Sequence, residues 1–223
     1  MSKNNSNNGQ KLLTDGATNS KLLKTMIKNN IHIRVFNLPV GETCPNAKYC
    51  IKDCYGKKGN YLYESNLKKY AYNLDMTKSD MFVDKICDEL KNCIVNAVRI
   101  HSTGDFYDMA YFAKWVKIAE LNPTIAFYGY TKSVSIVKEY EIKYGLPKNM
   151  YIAYSYGGKE DGLINPDKDK HSIVIAPNAE IPDGYVCGND DDYWVVKADK
   201  IALRYHGSRK WENSDFKKVI LPL

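Results

Sequence analysis

Residues 97–155 read AVRIHSTGDFYDMAYFAKWVKIAELNPTIAFYGYTKSVSIVKEYEIKYGLPKNMYIAYS. Their alternation decides the fold. Ala97–His101 is a short apolar strand that runs into the polar loop 102–106. Asp108 is placed to cap a helix over Met109–Leu121, whose buried face is Phe112, Trp115, Val116 and Ala119, and Asn122-Pro123 ends it. Ile125–Tyr130 is the next strand. Ser133 caps a helix over Val134–Tyr144, and Gly145 sits where a terminating glycine belongs. Met150–Tyr154 is a third strand. Strand, helix, strand, helix, strand with short connections implies a parallel sheet with right-handed crossovers.

Working outward, Ile31–Phe36 and Ser172–Ala176 add strands on either side, giving at least five. Lys21–Lys28 and Tyr61–Met76 have helical spacing. Ser79 is a candidate cap for a helix over Asp80–Asn92, with Phe82, Val83, Ile86, Cys87 and Leu90 on one face. Residues 195–205 read as either strand or helix. The fold class is α/β, a partial (βα) barrel or an open parallel sheet. Residues 1–20 are Asn/Ser/Gly-rich and read as a disordered tail, and 21–223 as a single domain.

Between the first strand and the next helix lies TCPNAKYCIKDCYG, residues 43–56, with cysteines spaced C-x5-C-x3-C. Three thiols on one loop leave one over in any disulfide scheme, and they suit a zinc or iron–sulfur centre. Cys44, Cys50 and Cys54 are therefore metal-ligand candidates. Cys187 is the candidate fourth ligand, since Cys87 and Cys93 fall on or beside a helix as ordinary packed thiols. Six cysteines without a signal-peptide pattern point to a reducing cytoplasm. There is no long apolar run to span a membrane. The formal charge of +6 is a weak bias toward polyanionic partners, and 18 tyrosines offer stacking surfaces or simply buried hydroxylated aromatics.

In parallel α/β folds, ligands bind beyond the carboxyl ends of the strands. That rim receives the cysteine loop, His101–Phe106, Tyr130–Ser133 and Ser155–Gly158. Asp105, His101 and Lys132 are the catalytic candidates. Asp105 is also a candidate helix cap, His101 a candidate core histidine and Lys132 a candidate solvated lysine. Gly104, which permits close backbone approach, joins Asp105, Phe106, Tyr130 and Ser155 as candidates to line a cofactor pocket. Walker A, G-x-G-x-x-G, H-E-x-x-H and G-x-S-x-G sequences do not occur.

CPNAKYCIKDCYG and RIHSTGDFYDMAYFAKWVKIAELNPTIAFYGYTKS, within residues 35–135, resemble the phage gene 88 protein family. The resemblance implies a phage origin, hence a bacterial host cytoplasm, and names no reaction. The layout is also similar to that of the radical S-adenosylmethionine (SAM) enzymes. These carry three cluster cysteines after the first strand and a glycine-rich SAM-binding segment at the end of the second. Gly104-Asp105 falls where that segment would be. The cysteine spacing departs from the usual C-x3-C-x2-C, and a fourth thiolate from Cys187 would close the iron that SAM needs.

Three function classes follow. The first is a [4Fe–4S], radical-SAM-like enzyme acting on nucleic acid or a nucleotide. The second is a zinc-containing base-exchange transglycosylase-like enzyme using Asp105. The third is a non-enzymatic, metal-stabilised module that binds nucleic acid or a host protein.

Overall fold

The computed structural model describes residues 9–207 and 209–222. In chain order its elements are β1 (Thr14–Asp15), α1 (Ser20–Asn29), β2 (Ile33–Phe36), α2 (Cys50–Asp53), α3 (Glu64–Lys78), α4 (Phe82–Lys91), β3 (Ala97–Ile100) and α5 (Met109–Leu121). Then come β4 (Ala126–Thr131), α6 (Val134–Tyr144), β5 (Met150–Ser155), β6 (His171–Ile175), β7 (Val186–Cys187), α7 (Trp194–Lys197) and β8 (Lys200–Arg204). The strands form one open sheet in the order β1-β2-β3-β4-β5-β6-β8-β7. β1 lies antiparallel on β2, and all other neighbours pair in parallel.

Strand order dictates where the helices go. Steps from β2 to β5 all advance the same way across the sheet, so right-handed crossovers gather α3–α6 on one face. The step from β7 to β8 runs backwards, and α7 accordingly lands on the other face. The strand residues sort with period two. Val98, Ile100, Phe127, Ile152, Tyr154, Ile173 and Ile175 meet the helices, which supply Phe82, Ile86 and Leu90 from α4, Phe112, Trp115 and Val116 from α5, and Val134 and Val137 from α6. Trp115 meets Phe36 and Phe82 edge-on, with centroids 5.2 and 5.6 Å apart. Each of these large side chains contributes about 1.5–3 kcal/mol by leaving water.

On the opposite face, Ile33, Val35, Ala97, Tyr128, Ala153 and Ile201 pack with Leu22 of α1 and Val195 of α7. This second cluster fills only the lower part of that face. Nearer the carboxyl ends, Arg99, Tyr130, Ser155, Val174 and Leu203 from five neighbouring strands wall a single cavity.

The helices over 109–121 and 134–144 match the expected spans, and Asp108 caps the first by accepting a hydrogen bond from the Tyr111 amide at 2.7 Å. Residues 195–205, ambiguous by pattern, hold both most of α7 and β8. The expected tail needs correction. Residues 1–8 lie outside the described residues, but 9–20 include structured chain. Leu12 and Leu13 are buried, their amides donate to the Glu89 carboxylate at 2.5 and 2.9 Å, and Thr14–Asp15 pairs with β2. Two adjacent leucines are too short a run to show a period, so composition alone misread them.

Candidate functional site

The loop after β2 is built onto the loop after β3. The Asn37 side-chain oxygen accepts from the Ser102 and Thr103 amides at 2.9 and 3.1 Å. Leu38 donates its amide to the Thr103 carbonyl at 3.0 Å, and the Thr103 hydroxyl donates back to the Leu38 carbonyl at 3.0 Å. Gly104 has φ +89, and a Cβ there would stand 2.6 Å from Leu38 and 2.8 Å from Thr43. Both conformation and space demand glycine. A Cβ on Gly56 would likewise meet Val40 at 2.6 Å and Thr103 at 2.8 Å. The cysteine loop then crosses to the end of β5, where Ala47 bridges Gly158 and the Tyr49 amide donates to the Gly157 carbonyl at 3.0 Å.

This seating brings Cys44, Cys50 and Cys54 to the wall of the cavity, together with Gly104, Asp105, Tyr130, Lys132 and Ser155. Its volume is about 830 Å³, within the range of small-molecule sites. Eight of the residues singled out by sequence thus share one site. All three cysteines are free thiols. Burial pushes the Cys44 thiol up to about 11, with Asp105, Cys54 and Cys50 adding to the rise. Burial also raises Cys54. Both are neutral thiols at pH 7 unless a cation takes the place of the proton. Among the described residues, no group of three or more His, Cys, Asp or Glu side chains is arranged to hold a single metal ion.

Cys187 stands apart. It pairs in register with Ala202, which packs on the helix-covered face, and it does not line the cavity. The backward step into β8 is the cause, because it puts β7 at the sheet edge. His101 and Phe106 also turn away from the cavity. His101 is buried in the left-handed conformation, φ 62, with its Nε2 2.7 Å from the Tyr111 hydroxyl and its ring edge-on to Phe106 at 4.8 Å. Burial, and then the charge of Arg99, push His101 down to about 3. It is a neutral core histidine, and Phe106 is a core aromatic.

Asp105 does not cap a helix. Its carboxylate accepts from the Thr131 hydroxyl at 2.6 Å, the Lys132 amide at 2.9 Å and the Phe106 amide at 2.7 Å, joining the ends of β3 and β4. Burial pushes it up to about 6 despite those donors. Lys132 reaches the end of β5, donating to the Ser155 hydroxyl at 2.8 Å and to the Ser155 and Tyr156 carbonyls at 3.0 and 3.1 Å.

The cavity floor carries charges that sequence reasoning missed. Arg99, with an 8% exposed side chain, is paired through Nη1 with Asp192 at 2.7 Å. Lys21 meets the other Asp192 oxygen at 2.8 Å. The guanidinium lies 4.6 Å from the Tyr130 ring centroid and 5.6 Å from that of Tyr128. Burial alone would raise Asp192, but Arg99 and Lys21 outweigh it and bring the carboxyl down to about 2. A signal for Arg99 existed: an arginine at the inward position of an otherwise apolar strand demands a counter-ion. The acidic run Asp190–Asp192 supplies it.

The sequence profile of the family described as Gene product 88 matches residues 3–216. The chain is similar to the Gene 88 protein of Mycobacterium phage L5, with 27% identity over 109 residues, covering 43% of this chain and 46% of that protein. It is similar to the Gene 88 protein of Mycobacterium phage D29 at 27% identity over 109 residues, covering 43% of this chain and 45% of that protein. The matched region thus spans about half the length of these curated relatives. No solved structure matches the chain. No helix among the described residues is long and apolar enough to cross a membrane.

Proposed function

We propose, from the premise that the chain belongs to the Gene product 88 family, that it is an iron–sulfur enzyme of radical-SAM-like build acting on a small molecule. One observation carries this reading. The three thiols of the loop after the first parallel strand line the same cavity as Gly104-Asp105, while Cys187 lies on the other face of the sheet. Cys44, Cys50 and Cys54 would hold a [4Fe–4S] cluster, leaving one iron without a protein thiolate. Such a cluster would supply one-electron chemistry, with SAM as the co-substrate.

Three thiols on the cavity wall, with Cys187 facing away, suit a cluster held by three cysteines, whereas a closed zinc site asks for four donors. The chain's own residues do the rest. Gly104 lets the β3 loop pack directly against Leu38 and Thr43, which seats the cysteine loop. Asp105 and Lys132 fix the ends of β3, β4 and β5 relative to one another, and the cysteine loop shields the cavity from water.

Anaerobic purification tests the reading. Iron and sulfide near four per chain with absorbance near 400 nm, and SAM cleavage after reduction, are the expected results. A colourless protein holding zinc, or an iron protein that leaves SAM intact, would overturn the enzyme as proposed.

A further inference from the structure

We infer that the substrate of this cavity is a nucleoside phosphate, a phosphate ester joined to a planar ring. The inference rests on the reading of the cavity as a small-molecule site and goes beyond it in naming the class. Five cationic side chains line the cavity, Lys21, Lys58, Arg99, Lys132 and Arg204, against three carboxylates, Asp53, Asp105 and Asp192.

All three carboxylates are already committed. Asp53 is bound by Arg209 and by the Ser214 hydroxyl, Asp105 by Thr131, Lys132 and Phe106, and Asp192 by Arg99 and Lys21. Of the cations, Lys21 and Arg99 are spent on Asp192, and among the described residues the other three form no ion pair. Lys58 donates only to the His206 and Gly207 carbonyls, at 3.1 and 2.8 Å. Arg204 donates to the Pro177 and Ala179 carbonyls. Lys132 donates to the oxygens of Ser155 and Tyr156. Among the described residues Lys58 and Arg204 have no carboxylate partner, and Lys132 makes no ion pair, its charge acting on Asp105 from a greater distance.

Carbonyl oxygens orient an ammonium or guanidinium without cancelling its charge. The rim therefore presents net positive charge to whatever enters, and a low-dielectric wall strengthens that field. A phosphate monoester, with a charge of about −1.5 to −2 at neutral pH, matches it better than a single carboxylate does.

One further feature points to the rest of the ligand. Next to Lys58, Tyr55 packs against Tyr61 and His206 with centroids 5.7 and 5.5 Å apart. An aromatic group of this kind offers faces on which a base can stack.

The test uses the full chain and three probes: the four ribonucleoside 5′-monophosphates, the matching nucleosides, and inorganic phosphate. At least one nucleotide is expected to bind at least tenfold tighter than both its nucleoside and phosphate, more weakly as salt rises. In K58Q/R204Q that preference is expected to fall at least tenfold with iron content unchanged. Lys58→Gln alone, at an exposed side chain, gives the same comparison if the double variant does not fold. Equal binding of nucleotide and nucleoside, equal binding of nucleotide and phosphate, or unchanged preference in the variant would overturn the inference. Iron content and SAM cleavage report separately on the cluster, so either idea can fail alone.

Discussion

The two faces of the sheet are built from alternate residues of the same strands, yet they are different materials. The helix-covered face carries Val98, Ile100, Phe127 and Ile152 against Trp115, Phe112 and Ile86. It is mostly apolar, with His101 and His171 as its buried histidines. The cavity face carries Arg99, Tyr130 and Ser155 one residue out of phase, with a buried ion pair and an unpartnered hydroxyl. One face is packed for stability, and the other is held open by charge. A strand thus divides its labour residue by residue, and the burden of stability on the first face leaves the second free to be suboptimal.

The sharpest way to break this contrast is at its two extremes. Trp115→Ala should cost about 3–5 kcal/mol in urea unfolding without altering ligand preference in the fraction that folds. Asp192→Ala should match it, about 3–5 kcal/mol, because it strands Arg99 in a buried site. A loss below about 1 kcal/mol would mean that the floor is solvated and the contrast false. The same carboxyl has a pH signature. Its folded pKa, about 2, lies below the unfolded 3.8, so its contribution is present above pH 4 and lost as pH falls toward 2. An Asp192→Asn variant should show a flatter acid limb.

Cysteines separate the faces next. Cys50→Ala should remove most bound iron, whereas Cys87→Ala, in the helix-side core, should keep it and cost about 1 kcal/mol. Equal iron loss in both would show that the thiols are sorted wrongly. With Cys44 raised to about 11, loading must release protons, so apparent metal affinity should rise with pH, by up to about tenfold per unit for each thiol. A pH-independent titration between 6 and 8 would remove Cys44 from the ligand set. Tyr130→Phe is the smallest change. Removing an unsatisfied hydroxyl should leave stability in urea unfolding within about 0.5 kcal/mol of the parent or raise it.

Much of this was legible from period and punctuation. The AVRI, IAFYGY and MYIAY segments are short, mostly apolar runs, and Asp108, Asn122 and Gly145 mark helix ends by chemistry that acts within a few residues. The rim loops followed from topology. What stayed hidden depends on contacts far apart in sequence. Arg99 and Asp192 are 93 positions apart, and nothing local announces their meeting. Cys187 was misplaced because a run of forward crossovers suggests another, whereas β7 and β8 reverse. His101 shows the limit of placing residues by strand end: its left-handed backbone turns the ring into the core, a conformation no pattern foretells.

Asp53, beside the thiol loop, is bound by Arg209 and by Ser214 at 2.5 Å. The roof over the cysteines is therefore fastened by a segment translated more than 150 residues later. A nascent chain leaves the ribosome with its thiols unroofed until that late segment arrives. The cysteine loop is thus fastened only after synthesis is nearly complete, and a message broken before Arg209 yields a protein with the sulfurs in place and no catch to keep them there.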